Sequence, residues 1–482
     1  MSANTQIIIS HRQFAWLICS LLTGGGLLSL QHELVRIAQL DAWMTYLLPT
    51  LYALAIAFVL TRLANRFPRK HLFEIVSIVF GRFFGTIVNL VILLHLWLIL
   101  MRNLKAFNQF IGTTLLPNTP PGILVMLFML LLIFFGRTSI EVAARVNELF
   151  FPFFFLQIIL SPLVLSNEVD RQLITPILTL DLKDYTFASM LGIGWFGDVL
   201  VAGAFLHTLW NVKQLRSAFR HGIILSALLL SVSLFMLLIV LGPIIPGNMV
   251  YPNYSLVQHI HITDFLDRVD LFILSIWYPI TGCKIIMIYL AFLTGIASLF
   301  KQRDYTVINS PISLFLLLTT TLAFKSTTEV LSFGELSSPV IVACYQPLLL
   351  IGLLAGSLRF PKPKQQEQKG REPSESHENE GDEEISGQHP ERTRGRYGAT
   401  TSKKVGGRLS RIPAPVWTGT GNAALIVCVV LSAVGLTLGP LYSKAGTACG
   451  AGYAFFLLAA YLVSHMEMRK AADYNLRRPS SR

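Results

Sequence analysis

The chain has 482 residues, 53% hydrophobic and only 14% charged, with a formal net charge of +12. Its mean hydropathy of +0.58 comes with apolar runs of roughly 17 to 30 residues, each able to cross about 30 Å of hydrocarbon, which excludes a soluble domain and defines a multispan membrane protein. In such a protein the positive charge reflects Lys and Arg in cytoplasmic loops rather than nucleic-acid binding. The five cysteines, Cys19, Cys283, Cys344, Cys428 and Cys449, lie in or beside apolar segments without metal-ligand spacing, so neither a metal nor a cofactor is expected.

The first expected span, 12–32, is interrupted by Gly24-Gly25-Gly26. It lacks a strongly basic leader and is followed by a further span, so it is expected to remain as a span and not to be a cleaved signal. Glycine weakens a helix by about 1 kcal/mol relative to alanine. An interrupted span also exposes backbone groups that lipid cannot satisfy, so the break should face a cavity. Spans follow near 42–62, 83–115, 121–136 and 146–166, and the sixth, near 187–209, carries a second glycine-interrupted stretch, Leu191 to Phe205. Further spans near 221–242, 269–297, 306–324 and 336–357 complete ten. Five plus five places a break at the opening of each half. That is the layout of an all-α, ten-helix inverted-repeat bundle with discontinuous first and sixth helices and a midplane site. Close helix packing through small residues is the competing reading of the same glycines.

With the N-terminus in the cytoplasm, inside loops hold Arg62, Arg66, Arg69, Lys70, Arg82, Arg137, Arg145, Lys213, Arg216, Arg220, Lys301 and Arg303. The outside loop near 167–186 holds Glu168, Asp170, Asp181 and Asp184 against Arg171 and Lys183. This alternation predicts both termini inside. Residues 358–416 turn acidic and then basic, with few apolar residues, and read as a charged disordered cytoplasmic linker. Two additional spans near 418–440 and 447–465 carry Gly435/Gly439 and Gly446/Gly450, spacings that favour helix association, before a basic tail from 467 to 482.

Four blocks give the chain a family resemblance: GGGLLSLQHELVRIAQLDAWMTYLLP (24–49), FPRKHLFEIVSIVFGRFFGTIVNL (67–90), FGRTSIEVAARVNELFFPFFF (135–155) and YPNYSLVQHIHITDFLDRVDLFILSIW (251–277). Together they resemble the B subunits of nutrient germinant receptors, the GerAB-type spore-germination proteins, over roughly residues 10–357. The resemblance implies an amino acid–polyamine–organocation type fold with a small-molecule nutrient site, typically for an amino acid, in the membrane of a bacterial spore. It also implies an A subunit and a C-subunit lipoprotein as partners. The family usually has a proline where this chain has Gln31.

Thr23, Gly24, Gly25, Gly26 and Leu27 match the family's break in span one, where orphan amides at a half-helix start favour a carboxylate. Gly194, Trp195, Gly197 and Asp198, with Gly192, form the corresponding region of span six. Asp198 sits where members commonly carry an acid; its alternative reading is a solvated residue near the outer face. Lys284, deep in span eight, must face the bundle interior or find a partner; it is expected either to stand in for a coupling cation or to pair with Asp198. Snorkelling is the rival reading for this lysine. By the resemblance, His95 and Asn103 line the pocket; the cations Arg102 and Lys105 of the same span are expected to mark an outward vestibule. A lone intramembrane histidine can equally serve packing.

No P-loop, HExxH or GxSxG motif is present in the sequence, and no catalysis is expected. Three functions remain: a ligand-binding receptor subunit that signals to its partners, a proton- or ion-coupled amino-acid permease, and a scaffold that has lost its site. Fold alone does not separate them. The receptor subunit is the reading the resemblance favours.

Overall fold

The computed structural model describes residues 9–175, 177–209, 211–259, 269–302, 304–360 and 414–476. Among them the regular elements are all helices, joined by turns and loops, without strands. In chain order they form α1 (His11–Ala38), α2 (Leu47–Arg66), α3 (Leu72–Thr114), α4 (Pro121–Phe135), α5 (Ile140–Val164), α6 (Leu182–Phe196), α7 (Val212–Leu241) and α8 (Pro252–Gln258). After these come α9 (Val269–Leu299), α10 (Thr306–Ala323), α11 (Thr327–Ser332), α12 (Ser338–Ser357), α13 (Ala414–Leu438) and α14 (Ser443–Leu476). Ten helices among the described residues are long and apolar enough to cross a bilayer, and the bent pair His11–Leu27 and Leu30–Met44 makes an eleventh. The apolar α4, at fifteen residues, reaches only about 22 Å. Exposed side chains such as Phe83, Phe134, Leu163, Leu314 and Leu348 clothe the bundle with the apolar surface that lipid covers.

Both expected interruptions are present, each with its own geometry. The two halves of α1 meet at 64°, but the bend follows the glycine run instead of falling within it. The run stays helical because neighbours pack closely on it: a Cβ at Gly24 would lie 3.3 Å from Thr281 Cα, and one at Gly26 would lie 3.7 Å from Leu230. Side chains satisfy the carbonyls around the bend. Thr281 Oγ1 donates to the Gly24 carbonyl at 3.0 Å, and Asn253 Nδ2 donates to that of Leu27 at 2.5 Å. Asn253 Nδ2 also reaches Gln31 Oε1 at 2.6 Å, so the residue standing where the resemblance implies proline holds the bend by hydrogen bonding.

In the second half, α6 passes into a 3₁₀ stretch, Gly197–Thr208, that is itself kinked at Phe205. Runs of this length are uncommon, and 3₁₀ geometry within a span often marks a functional hinge. Because α6 begins at Leu182, Asp198 lies well inside the span and is fully buried, which overturns the reading of a solvated residue near the outer face. Between α11 and α12 a π turn, Phe333–Ser337, interrupts the last core span. Gly81, at φ 78°, breaks α3 after its first turns, in a backbone region that glycine enters without strain.

The helices α13 and α14 form a hairpin that packs along α7. The linker expected at 358–416 lies almost wholly at 361–413, outside the described residues, as do Arg303 and residues 477–482. The hairpin glycines do more than bring two helices together. A Cβ at Gly439 would overlap the Leu178 carbonyl, and one at Gly446 that of Ile177, so the hairpin apex cradles the backbone of the loop before α6. Asp41 holds that loop from the other side, accepting from the amides of Leu178, Thr179 and Leu180 at 2.5 to 3.2 Å.

Candidate functional site

Four elements meet behind the glycine run. Asp198 enters from the start of the 3₁₀ stretch, Lys284 from mid-α9, Arg102 from α3, and Trp195 from the last turn of α6. Lys284 Nζ lies 3.3 Å from Asp198 Oδ2, and Arg102 Nη2 lies 3.4 Å from the same oxygen. All three side chains are at most 1% exposed. Arg102 Nη1 also donates to Ser338 Oγ at 2.7 Å. The Trp195 ring contacts both cations, its centroid 4.0 Å from the Arg102 guanidinium carbon and 4.9 Å from Lys284 Nζ. Such cation–π contacts contribute about 2 kcal/mol where desolvated.

Gly25 closes the arrangement. A Cβ on it would stand 2.5 Å from the Trp195 ring, 2.8 Å from Lys284 Nζ and 3.0 Å from Asn103 Oδ1. Only a glycine lets the α1 backbone come this near the cluster. Several polar atoms there are buried and make no hydrogen bond: the donors Lys284 Nζ, Arg102 Nε and Trp195 Nε1, and the acceptor Asp198 Oδ1. Two cations against one carboxylate leave a buried excess of one positive charge, an arrangement that is strongly unfavourable without a compensating group.

The residues singled out from the sequence fall into two sets. Gly25, Asn103, Trp195, Asp198 and Lys284 converge on one another, and Gly24 packs on the Lys284 stem at 3.5 Å. The rest lie one layer away. Thr23 hydroxyl donates to the Cys19 carbonyl within α1, and Gly26 faces Leu230 of α7. Gly194 meets Pro339, Gly197 meets Val342 and Gln346, and Gly192 meets Pro49. These three let α6 approach α12 and α2. His95 is buried with its ring 5.1 Å from that of Tyr345. Arg102, expected at an outward vestibule, is instead a full member of the cluster, whereas Lys105 stays half-buried. The residues that sequence reasoning missed are Ser338, Thr281, Asn253 and Gln346. Gln346 donates to the Gly197 carbonyl at 3.2 Å and accepts from the Tyr52 hydroxyl at 3.0 Å. A polar residue in an apolar span was the signal available for Ser338, Thr281 and Gln346, whereas Asn253 lies in the short α8, outside the spans.

Two cavities lie elsewhere in the bundle, neither lined by a residue of the cluster. One, of about 390 Å³, is lined mainly by apolar groups and touches Leu27 at the bend, with Asn253, Tyr251, Tyr254 and Trp277 on its walls. The other, of about 690 Å³, is polar and lies at the far end of the 3₁₀ stretch, lined by Lys70, His71, Glu74, His207, Lys301 and Tyr305. His207 stands nine positions after Asp198, beyond the break in helical geometry at Phe205. At this mouth His71, outside the spans, is pulled down to about 4 by burial, with Lys70 adding to the effect.

The two interrupted spans of this helical membrane bundle meet at a buried charge cluster. The family model described as spore germination protein matches residues 8–328, and the chain belongs to that family. Among its relatives in Bacillus subtilis (strain 168), YfkT is 26% identical over 331 residues, covering 68% of this chain and 90% of its own. Spore germination protein KB is 24% identical over 370 residues, covering 76% and 98%. Spore germination protein B2 is 22% identical over 270 residues, covering 56% and 73%. Of solved structures, that of Mhp1, a nucleobase-cation-symport-1 family transporter in a closed conformation with bromovinylhydantoin bound, aligns with 97% of this chain and 94% of its own at 12% identity and a TM-score of 0.47.

Proposed function

We propose that this chain is the nutrient-binding membrane subunit of a spore germinant receptor, and that a free amino acid binds where Gly25, Trp195, Asp198, Arg102 and Lys284 meet. One observation carries the reading: the buried atoms without hydrogen bonds match a zwitterion. Lys284 Nζ, Arg102 Nε and Trp195 Nε1 are donors for a carboxylate, and Asp198 Oδ1 is an acceptor for an ammonium. A zwitterion leaves the net charge of the bundle unchanged, but its carboxylate would pair with Lys284 and Arg102 and its ammonium with Asp198, so that each buried charge has a partner. Trp195 fills the space in front of Gly25, so entry of the ligand requires the indole to swing aside. That movement would be felt at once by α6 and the π turn, because Gly334 lies against Trp195 and Arg102.

Binding shifts a two-state bundle only if the ligand favours one state. The hinge at the start of the 3₁₀ stretch and the α1 bend are the elements to move. The readout passes to an A subunit and a C-subunit lipoprotein, with both termini of this chain cytoplasmic in the inner spore membrane. The test is a screen of the common amino acids and nucleosides by thermal unfolding of the purified chain, with uptake by reconstituted vesicles measured in parallel. Saturable stabilisation by one amino acid without uptake supports the receptor; no ligand-dependent shift across the panel would refute the site. The polar cavity at the far end of the 3₁₀ stretch favours one second reading, an amino-acid permease, and concentrative uptake by the chain alone would establish it.

A further inference from the structure

A second group of side chains lies beyond the charge cluster, between the outer half of α1 and the π turn. His32 and Glu33 come from α1 and Glu335 from the π turn, and one ligand atom of each lies within 4.8 Å of the others. His32 Nε2 is 3.2 Å from Glu335 Oε1. Both carboxylates are buried, Glu33 at 4% and Glu335 at 6% exposure. Glu335 Oε1 points into the group and makes no hydrogen bond. From outside the group, Arg36 pairs with Glu33, and the arginine side chain is 63% exposed. With the His32 imidazole neutral, as a metal ligand must be, two buried carboxylates against one rim cation leave a negative charge for a cation to balance.

We propose that His32, Glu33 and Glu335 form a binding site for a divalent first-row transition-metal ion, Zn²⁺ or Mn²⁺. One imidazole nitrogen with two carboxylates is a donor set for such an ion, whereas Ca²⁺ and Mg²⁺ take oxygen ligands alone. A divalent ion balances the two carboxylates and frees Arg36 to turn into water, which its exposure permits. The π turn supplies the aim: single π turns inside helices recur at functional sites, and this one brings Glu335 to the face that meets α1. Its neighbour Gly334 is in contact range of Arg102 and Trp195, where a Cβ would stand 3.3 and 3.4 Å away. A bound ion would therefore tie the outer half of α1 to the turn that backs the charge cluster.

The experiment uses the full-length protein in detergent, stripped with EDTA and titrated with ZnCl₂, MnCl₂ or CaCl₂ alone. Thermal unfolding gives the apparent affinity, and the EPR signal of Mn²⁺ counts bound ions. The expected result is one bound Mn²⁺ per chain and a saturable rise in Tm with Zn²⁺ or Mn²⁺ but not with Ca²⁺. Glu335→Gln and His32→Gln each weaken the affinity by at least about tenfold, as loss of a ligand must exceed loss of an outer-shell partner. Arg36→Gln leaves every ligand in place and tightens binding by removing a competing cation; it keeps the test decisive if a ligand variant fails to fold. An unchanged response in Glu335→Gln would identify an adventitious ion only and overturn the proposal. So would a wild-type chain that binds no Mn²⁺ while Glu335→Gln is stabilised without metal, because the missing partner would then be a proton.

Discussion

Replacing Asp198 with asparagine separates the charge cluster from ordinary packing, because the two side chains have nearly the same shape. In the native chain one carboxylate faces Lys284 at 3.3 Å and Arg102 at 3.4 Å, with all three groups at most 1% exposed. Removing the anion strands two buried cations beside each other, and breaking a buried pair in this way costs about 3–5 kcal/mol. Lys284→Met is a different perturbation: it leaves Arg102 with its carboxylate and with Ser338 at 2.7 Å, and removes the surplus charge. Its expected effect on stability is within about 1 kcal/mol of zero, since an apolar replacement of similar volume can offset a buried ion's desolvation. The double variant Asp198→Asn/Lys284→Met then regains stability relative to Asp198→Asn alone, and the coupling measured by the cycle exceeds about 1 kcal/mol. Thermal unfolding of the purified protein in one fixed detergent and lipid composition reads all three. Equal losses for Asp198→Asn and Lys284→Met, or strict additivity in the double variant, would refute the electrostatic account of the cluster.

Two further outcomes follow from other parts of the fold. Gly439→Ala places a methyl group against the Leu178 carbonyl; overpacking of this kind costs about 1–3 kcal/mol, and hydrogen exchange should rise at residues 177–180 while the cluster keeps its protection. His71 has a folded-state pKa of about 4 against an ordinary 6.5, so the folded chain binds fewer protons than the unfolded chain between these values. Its contribution is therefore full above pH 6.5 and lost as pH falls towards 4, by up to about 3 kcal/mol. His71→Gln should flatten the dependence of the unfolding midpoint on pH across that window.

The elements most legible in the sequence were those whose chemistry contradicts their surroundings. Asp198 and Lys284 stood out because charge within apolar spans needs a partner, and the glycine clusters because a weakened helix in lipid needs a reason. The precise location of the α1 bend was not legible. It depends on Thr281 and Asn253, which lie more than 200 positions away in the chain and take the carbonyls of Gly24 and Leu27. Arg102 was misplaced because its position on α3 does not reveal which face meets α6; only packing turns the guanidinium onto Trp195. The π turn left no periodic signature, so neither Glu335 nor its approach to His32 was foreseen. Likewise the hairpin glycines carry a helix-pairing spacing, yet the surface they accommodate is the backbone of a loop some 260 residues earlier.

Equilibrium dialysis of the stabilising amino acid against the wild-type chain, Gly25→Ala and Gly26→Ala tests the placement of the nutrient site most directly. The two substitutions are neighbours with the same helix-propensity gain, but a Cβ at Gly25 would stand 2.5 Å from Trp195 and 2.8 Å from Lys284 Nζ, whereas one at Gly26 would stand 3.7 Å from Leu230. Once Trp195 has swung aside, a Cβ at Gly25 occupies space the ligand would take, and an overpacking penalty of about 1–3 kcal/mol in the bound state corresponds to roughly 5- to 150-fold in affinity. The expected result is a loss of that size in Gly25→Ala and wild-type binding in Gly26→Ala. Wild-type affinity in Gly25→Ala, or equal losses in both, would contradict a pocket between the glycine run and the Asp198–Lys284–Arg102 cluster.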